Sequence, residues 1–467
     1  MKDSVNVAWQ KTALHAKLGN NTATRRLRDN KAESRQGLAA IVLEGTTVPQ
    51  QSPGSNLASR LPFHYGWAVV AAGTLAIFAC LGLGRFALGM LLPSMGHSLA
   101  LSRSEMGWIS TGNFIGYMAA VMLGGHMVAR MGARRTIVIG LGLVGGSMML
   151  VAHADSQIQV LALYLITGFG SGTANVPVMG LIAHWFGRRM RGRAAGFVVI
   201  GSGFAIMVSG ALVPAINALQ GAEGWRLSWT VIGLMVLVAA AIDLVVLRNH
   251  PSDMGVQPVE GAAAPVAAAA AFPAAPAAPA VSKTRILAHL GILYACFGFT
   301  YVIYATFIVT TLVQERGFPE ATAGHFWSWI GFLSLASGPV FGTLSDRIGR
   351  RGGLMIVFSF QACAYLLVAL PLPEPFLYAS IVLFGLVVWS IPSIMAAAVG
   401  DYLGPEQAAS AFGTITVVFA LGQITGPALA GWMADAWGSF SGSFVMAAAV
   451  AAAAIVGAAF LPASHRH

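Results

Sequence analysis

One basic side chain stands alone in an apolar stretch, in the run Gly82-Leu83-Gly84-Arg85-Phe86-Ala87. A guanidinium at that depth in a bilayer costs about 3 kcal/mol on insertion scales, and more by other estimates. Arg85 is therefore expected to face a central cavity and not lipid. Its flat, permanently charged fork matches a carboxylate with two parallel hydrogen bonds. The glycines at 82 and 84 thin the helix wall, so a ligand or a neighbouring helix can come close. No acid lies in the middle of any apolar run, which leaves an ion pair without an obvious partner. Asp243 is within one, but about one turn from its end, where a carboxylate can reach the interface.

Polar and aromatic residues of other runs could complete an anion site. Asn113 and Tyr117 share a helix face, as do Tyr301 and Tyr304. Asn175 with Pro177, and Trp389 and Ser390 with Pro392, mark local breaks, and Gln423 lies in a further run. Each residue type also serves as glue between helices. Trp327 and Trp329 read as interfacial belt residues. The histidines gather near run ends (His97, His126, His153, His184, His289, His325) or in the tails, positions of interfacial polar groups more than of proton relays. Cys80, Cys296 and Cys363 offer neither metal-ligand spacing nor a disulfide framework. No metal and no cofactor are expected.

The elements that must position these residues follow from composition. Of 467 residues 56% are hydrophobic and 9% charged, against about 25% charged in soluble domains. Mean hydropathy is +0.72. Helices are predicted near 67–95, 105–129, 134–152, 158–184, 193–218, 226–247, 286–314, 321–345, 352–370, 375–400, 407–433 and 439–461, most long enough for the roughly 20 residues of a span. The fold class is all-α, a polytopic membrane protein of twelve transmembrane helices in two pseudo-symmetric six-helix halves, 64–248 and 285–462. Residues 1–63 read as a disordered tail and 463–467 as a short one. Residues 249–284 read as an Ala/Pro-rich tether, because Pro265, Pro273, Pro276 and Pro279 prevent a regular helix.

Of the 27 Lys and Arg residues, only Arg103, Arg226 and Arg316 fall in loops opposite the termini, and Arg85 lies within a span. That bias places both termini and the linker in the cytoplasm. With no secretory signal at the start, it suits a bacterial inner membrane. The net charge of +10 thus reports membrane orientation, and no nucleic-acid partner is expected.

The halves echo each other at an offset of 217 residues. Gly125, Arg130, Gly132 and Arg134 map onto Gly342, Arg347, Gly349 and Arg351. Gly196, Ala205 and Ser209 map onto Gly413, Gly422 and Gly426. The same offset sets Arg85 against Val302, between Tyr301 and Tyr304 in sequence. Parallel repeats of this kind build alternating-access transporters.

Gly342, Asp346, Arg347, Gly349, Arg350 and Arg351 form a G-x3-D-R-x-G-R-R loop that resembles the signature of the major facilitator superfamily. The first half departs from it, with Ala129 in place of the acid. Gly413, Gly422, Gly426 and Pro427 look like the superfamily's glycine-rich antiporter motif, which in the family belongs to span five and here lies in span eleven. Tyr65-Gly66-Trp67, the stretch from Trp185 and Phe186 through Arg188, Arg189, Arg191, Gly192 and Ala194, and Gly224-Trp225-Arg226 resemble the monocarboxylate porters and oxalate/formate antiporters. The resemblance covers roughly 64–461. It implies a working monomer carrying small organic anions, with the charged loops as gating latches. Asp346 would hold Arg347, Arg351 or a helix end, tying the halves together on the cytoplasmic side in one state.

A membrane enzyme would need a constellation that is absent: there is no HExxH, Walker loop or G-x-S-x-G elbow. The expected function is secondary active transport of a small organic anion, a mono- or dicarboxylate. The alternative is a proton-coupled drug or metabolite exporter of the same fold. A lone cation without a titratable partner favours anion exchange or uniport, with a counter-anion or a proton as possible coupling partner.

Overall fold

The computed structural model describes residues 62–259, 283–404 and 407–462. The N-terminal tail through 61, the Pro-bearing linker stretch 260–282 and the tail 463–467 lie outside the described residues.

The first half contains α1 (Tyr65–Ser98), α2 (Arg103–Met131), α3 (Ala133–Val151), α4 (Gln157–Trp185), α5 (Arg188–Gln220) and α6 (Gly224–Val246). The second contains α7 (Lys283–Glu315), α8 (Glu320–Ile348), α9 (Arg350–Ala369), α10 (Glu374–Leu403), α11 (Ala408–Trp437) and α12 (Ser441–Ala459). Eleven are apolar and long enough to cross a membrane. The remaining one, α8, matches them in length at 29 residues and is more polar. Successive helices run up and down, so residues 62, 259 and 462 end on one face, here the linker face. The opposite one is the far face.

Local sequence explains how tightly the helices join. Gly132 and Gly349 are the single residues between α2 and α3 and between α8 and α9, with φ of 79° and 90°. Side chains rarely adopt those angles, so the glycines of the repeated loop are turn requirements. At the start of α2, Ser102 Oγ accepts from the Glu105 amide at 3.2 Å. The Glu105 carboxylate accepts from the Ser102 amide at 2.8 Å, a reciprocal cap.

Three helices are irregular. The middle of α1, Phe78–Phe86, is π-helical, as are the last residues of α7, Thr311–Glu315. α10 breaks between Glu374–Val387 and Ser390–Leu403. There the freed Trp389 amide donates to Ser337 Oγ at 3.0 Å, as backbone at membrane depth requires.

The described part of the linker packs on the first half. Pro251–Met254 forms a 3-10 turn. The Val259 amide donates to the Trp185 carbonyl at 3.0 Å, and the Gly187 amide to the Val259 carbonyl at 3.1 Å. The apolar Pro251 and Met254 are buried, so this segment is a strap laid on the first half.

Candidate substrate site

Arg85 is in the π-helical segment of α1, whose carbonyls accept hydrogen bonds from side chains of neighbouring helices. Ser171 Oγ donates to the Cys80 carbonyl at 2.7 Å. Tyr164 donates to the Arg85 carbonyl at 2.9 Å, and Asn113 Nδ2 to the Gly84 carbonyl at 3.4 Å. The guanidinium lies over the rings of Phe114, 4.6 Å from its centroid, and Tyr117, 4.4 Å away. Tyr301 of α7 reaches it with its hydroxyl. Nε and Nη2 are buried and have no hydrogen-bond partner among the described residues. A buried charged donor left unmade costs more than an ordinary hydrogen bond returns. The two rings offset part of that, by about 0.5–2 kcal/mol each.

Beside the guanidinium is a cavity of about 10 Å³ lined by Arg85, Phe86, Ser110, Phe114, Val302 and Thr306, among others. That is room for about one water. Ser110 and Thr306 close it on the far side, their hydroxyls 3.1 Å apart across the two halves. The repeat counterparts Arg85 and Val302 thus line one cleft.

The other residues singled out in the sequence divide into two groups. Tyr117 is beneath Arg85, and its hydroxyl accepts from Asn175 Nδ2 at 2.6 Å. Gln423 donates to Tyr301. Trp389 meets Phe86 edge-on at 5.4 Å and Tyr301 at 6.0 Å, and its indole N–H is buried and unpartnered. Tyr117 and Tyr301 reach the guanidinium, and Asn175, Gln423 and Trp389 support them. Asn113 and Tyr304 form the second group. Asn113 turns into the first half, where it supports the Gly84 and Tyr164 carbonyls. Tyr304 turns into the second half, 2.9 Å from Ser380 Oγ and stacked on Phe384 at 4.0 Å. Phe114 escaped the sequence reading, although its i, i+3 spacing from Tyr117 already placed both rings on one face.

Two expectations are corrected. Trp327 is not a belt residue: it is buried where the halves meet, its indole N–H donating to Ser209 Oγ at 3.2 Å. Trp329 is 55% exposed. Asp243 does not reach an interface: it is fully buried in the first half, with neither carboxyl oxygen partnered. No group of three His, Cys, Asp or Glu among the described residues could hold a metal ion.

The halves touch from the cavity outward to the far face. Asp435 of α11 accepts from the Arg103 and Ser104 amides of α2, both at 2.9 Å. Arg103 faces Glu315 of α7 at 3.7 Å. Asn217 of α5 donates to Glu320 of α8 at 2.9 Å. Toward the linker face a side chain built at Gly125, Gly196, Gly342 or Gly413 would meet only open space. The loop motif braces helices inside each half. Arg350 pairs with Asp346 and, at 2.6 Å, with Asp401 of α10. Arg134 donates to the Leu244 carbonyl of α6. Among the described residues, the hydrogen bonds and ion pair that join the halves therefore lie from the cavity to the far face.

Two six-helix halves around a central cleft, carrying this loop in both copies, agree with the match of the Major Facilitator Superfamily profile to residues 74–392 and 290–467. The chain belongs to that superfamily. It is a multi-pass membrane transporter and not an enzyme. The transporter is 25% identical to the hexuronate transporter of Bacillus subtilis over 79% of its own length and 88% of the relative's. It is 24% identical to human monocarboxylate transporter 2, over 84% of each chain. The 3-(3-hydroxy-phenyl)propionate transporter of Escherichia coli shares 26% identity over 75% of this chain and 83% of that one. Among solved structures, the nucleoside transporter NupG superposes with a TM-score of 0.64 at 13% identity, covering 85% of this chain and 98% of the other. A bacterial homologue of the lysosomal transporter Spinster, inward-facing, gives 0.63 at 14%, covering 85% and 95%. These two likenesses bear on the fold alone.

Proposed function

We propose that this transporter moves a small organic monoanion across a bacterial inner membrane by alternating access, binding its carboxylate on Arg85. The observation that carries the reading is the guanidinium with two buried, unpartnered N–H-bearing nitrogens, lying over the Phe114 and Tyr117 rings of α2. A single guanidinium balances one negative charge, which favours a monocarboxylate over a dicarboxylate. Hexuronate, monocarboxylate and hydroxyphenylpropionate relatives support a carboxylate cargo. Tyr117 with Asn175, Tyr301 with Gln423, and the Trp389 indole supply donors and flat surfaces for the rest of the molecule. With Lys and Arg concentrated on the linker face, that face is the cytoplasmic one and the structure is inward-open. The cleft side chains named above include no acid, which favours exchange of anions or uniport over proton coupling within the site.

A thermal-shift screen of the purified protein against lactate, benzoate, succinate and cationic drugs tests this, because a ligand of the native state raises its stability by mass action. Stabilisation by monocarboxylates is expected, with binding weakened about 100-fold in Arg85→Ala, the roughly 3 kcal/mol of a charge-assisted pair. Stabilisation by cations alone, or carboxylate shifts indifferent to Arg85, would overturn the reading in favour of an exporter.

A further inference from the structure

We propose that Tyr164 and Ser171, assisted by Asn113, are positioning residues: they hold the π register of α1, and so set anion affinity without touching the anion. The inference rests on the anion reading of Arg85 given above.

A π-helical stretch is rare and usually a single turn, yet here it runs for nine residues, Phe78–Phe86, and ends immediately after the one cation of the span. Carbonyls in such a segment lose the regular four-residue ladder. Three of them, at Cys80, Gly84 and Arg85, also accept from the side chains of Ser171, Asn113 and Tyr164. A return to α-helical register by one residue would turn Arg85 about its helix axis by roughly 100° relative to the turn before it. That rotation would take the guanidinium off Phe114 and Tyr117. Close packing resists it as well: a Cβ at Gly84 would lie 3.0 Å from Ser171 Oγ, and one at Gly82 would collide with Ala205. Tyr164 is itself fixed edge-on against Trp229 at 5.8 Å.

The second half provides an internal control. At the 217-residue offset, Tyr164, Ser171 and Asn113 correspond to Ile381, Val388 and Ile330, none of which has a side-chain donor, and Arg85 corresponds to Val302. The matching stretch of α7, 295–303, is ordinary α-helix. Donors, π register and cation are present together in this stretch of α1 and missing together from the matching stretch of α7.

The test is a double-mutant cycle on the full chain in detergent, reading lactate and benzoate affinity by titration calorimetry. Tyr164→Phe and Ser171→Ala each remove one hydroxyl, and the pair should weaken binding about 10- to 30-fold. In an Arg85→Lys background, whose flexible ammonium needs no aimed fork, the same pair should change affinity by less than about 2-fold. Hydrogen exchange of amides 80–90 should quicken in the pair, with the rest of α1 unchanged. Unaltered affinity in the pair, or an equal loss in the Arg85→Lys background, would overturn the positioning role while leaving the anion site standing. If neither acid binds the native protein, the anion reading fails and takes this inference with it.

Discussion

The two faces of this transporter use charge in opposite ways. On the far face, acids of the second half reach across to the first: Asp435 to the amides of α2, Glu315 to Arg103, Glu320 to Asn217. On the linker face Arg350, Asp346 and Asp401, and separately Arg134 with Leu244, join helices of the same half. On the proposed alternating-access reading, contacts across halves must break when the cleft changes sides, whereas contacts within a half can persist through the whole cycle. The repeat makes the contrast sharper. Arg103 and Glu320 are counterparts at the 217-residue offset, so each seam joins the first turn of α2 or α8 to the last turn of a helix in the other half. The loop motif, expected to latch the halves, serves in this state as an internal brace.

The largest expected effect tests the far-face contacts. Asp435→Asn replaces a carboxylate that accepts two amides by a group that can accept only one. It should cost the sealed state about 1–2 kcal/mol, discounted for exposure. Spin labels at the exposed far-face positions Leu219 and Leu370 should then show a longer-distance population growing roughly 5- to 30-fold. An unchanged distribution would mean that Asp435 is a helix cap and no more.

A smaller effect is expected for Asp346→Asn. Arg350 is only 12% exposed but keeps Asp401, and Asp346 is largely solvated, so the loss should be about 0.5–1 kcal/mol of stability. The same label pair should not respond. A shift in the far-face distance would show that the brace is coupled to the motion after all.

The smallest effect concerns a far-face contact within one half. The Ser98 hydroxyl, and after it Arg226, hold the Glu223 carboxyl below its usual 4.5. A depressed carboxylate contributes stability that is present above the unfolded value and lost as pH falls through the folded one. Melting temperature should therefore fall slightly more steeply below about pH 4.5 in the native protein than in Glu223→Gln. Parallel curves would assign this pair no role in stability.

Much of the architecture was legible in the residues. Apolar runs gave the helices, the repeated loop gave two halves, and the cost of a buried guanidinium placed Arg85 inward. Facing was the harder matter. Asn113 and Tyr117 share a helix face in projection, yet one supports α1 and the other lies beneath the guanidinium. Tyr301 meets Arg85 while Tyr304, one turn on, packs into its own half. Trp327 and Asp243 looked interfacial by position and are buried because neighbouring helices cover them. Spacing locates residues on a helix, but the helix's rotation is set by its neighbours.

Sequence alone determined the number and length of the spans, the two-fold repeat and the lone cation of α1, because hydropathy, glycine turns and charge are local properties. Tertiary structure decided the π register that presents Arg85, the rings stacked on it and the carboxylates that tie the halves. Each of those depends on carbonyls, ring faces and helix ends supplied by segments far apart in the chain, which only packing brings together.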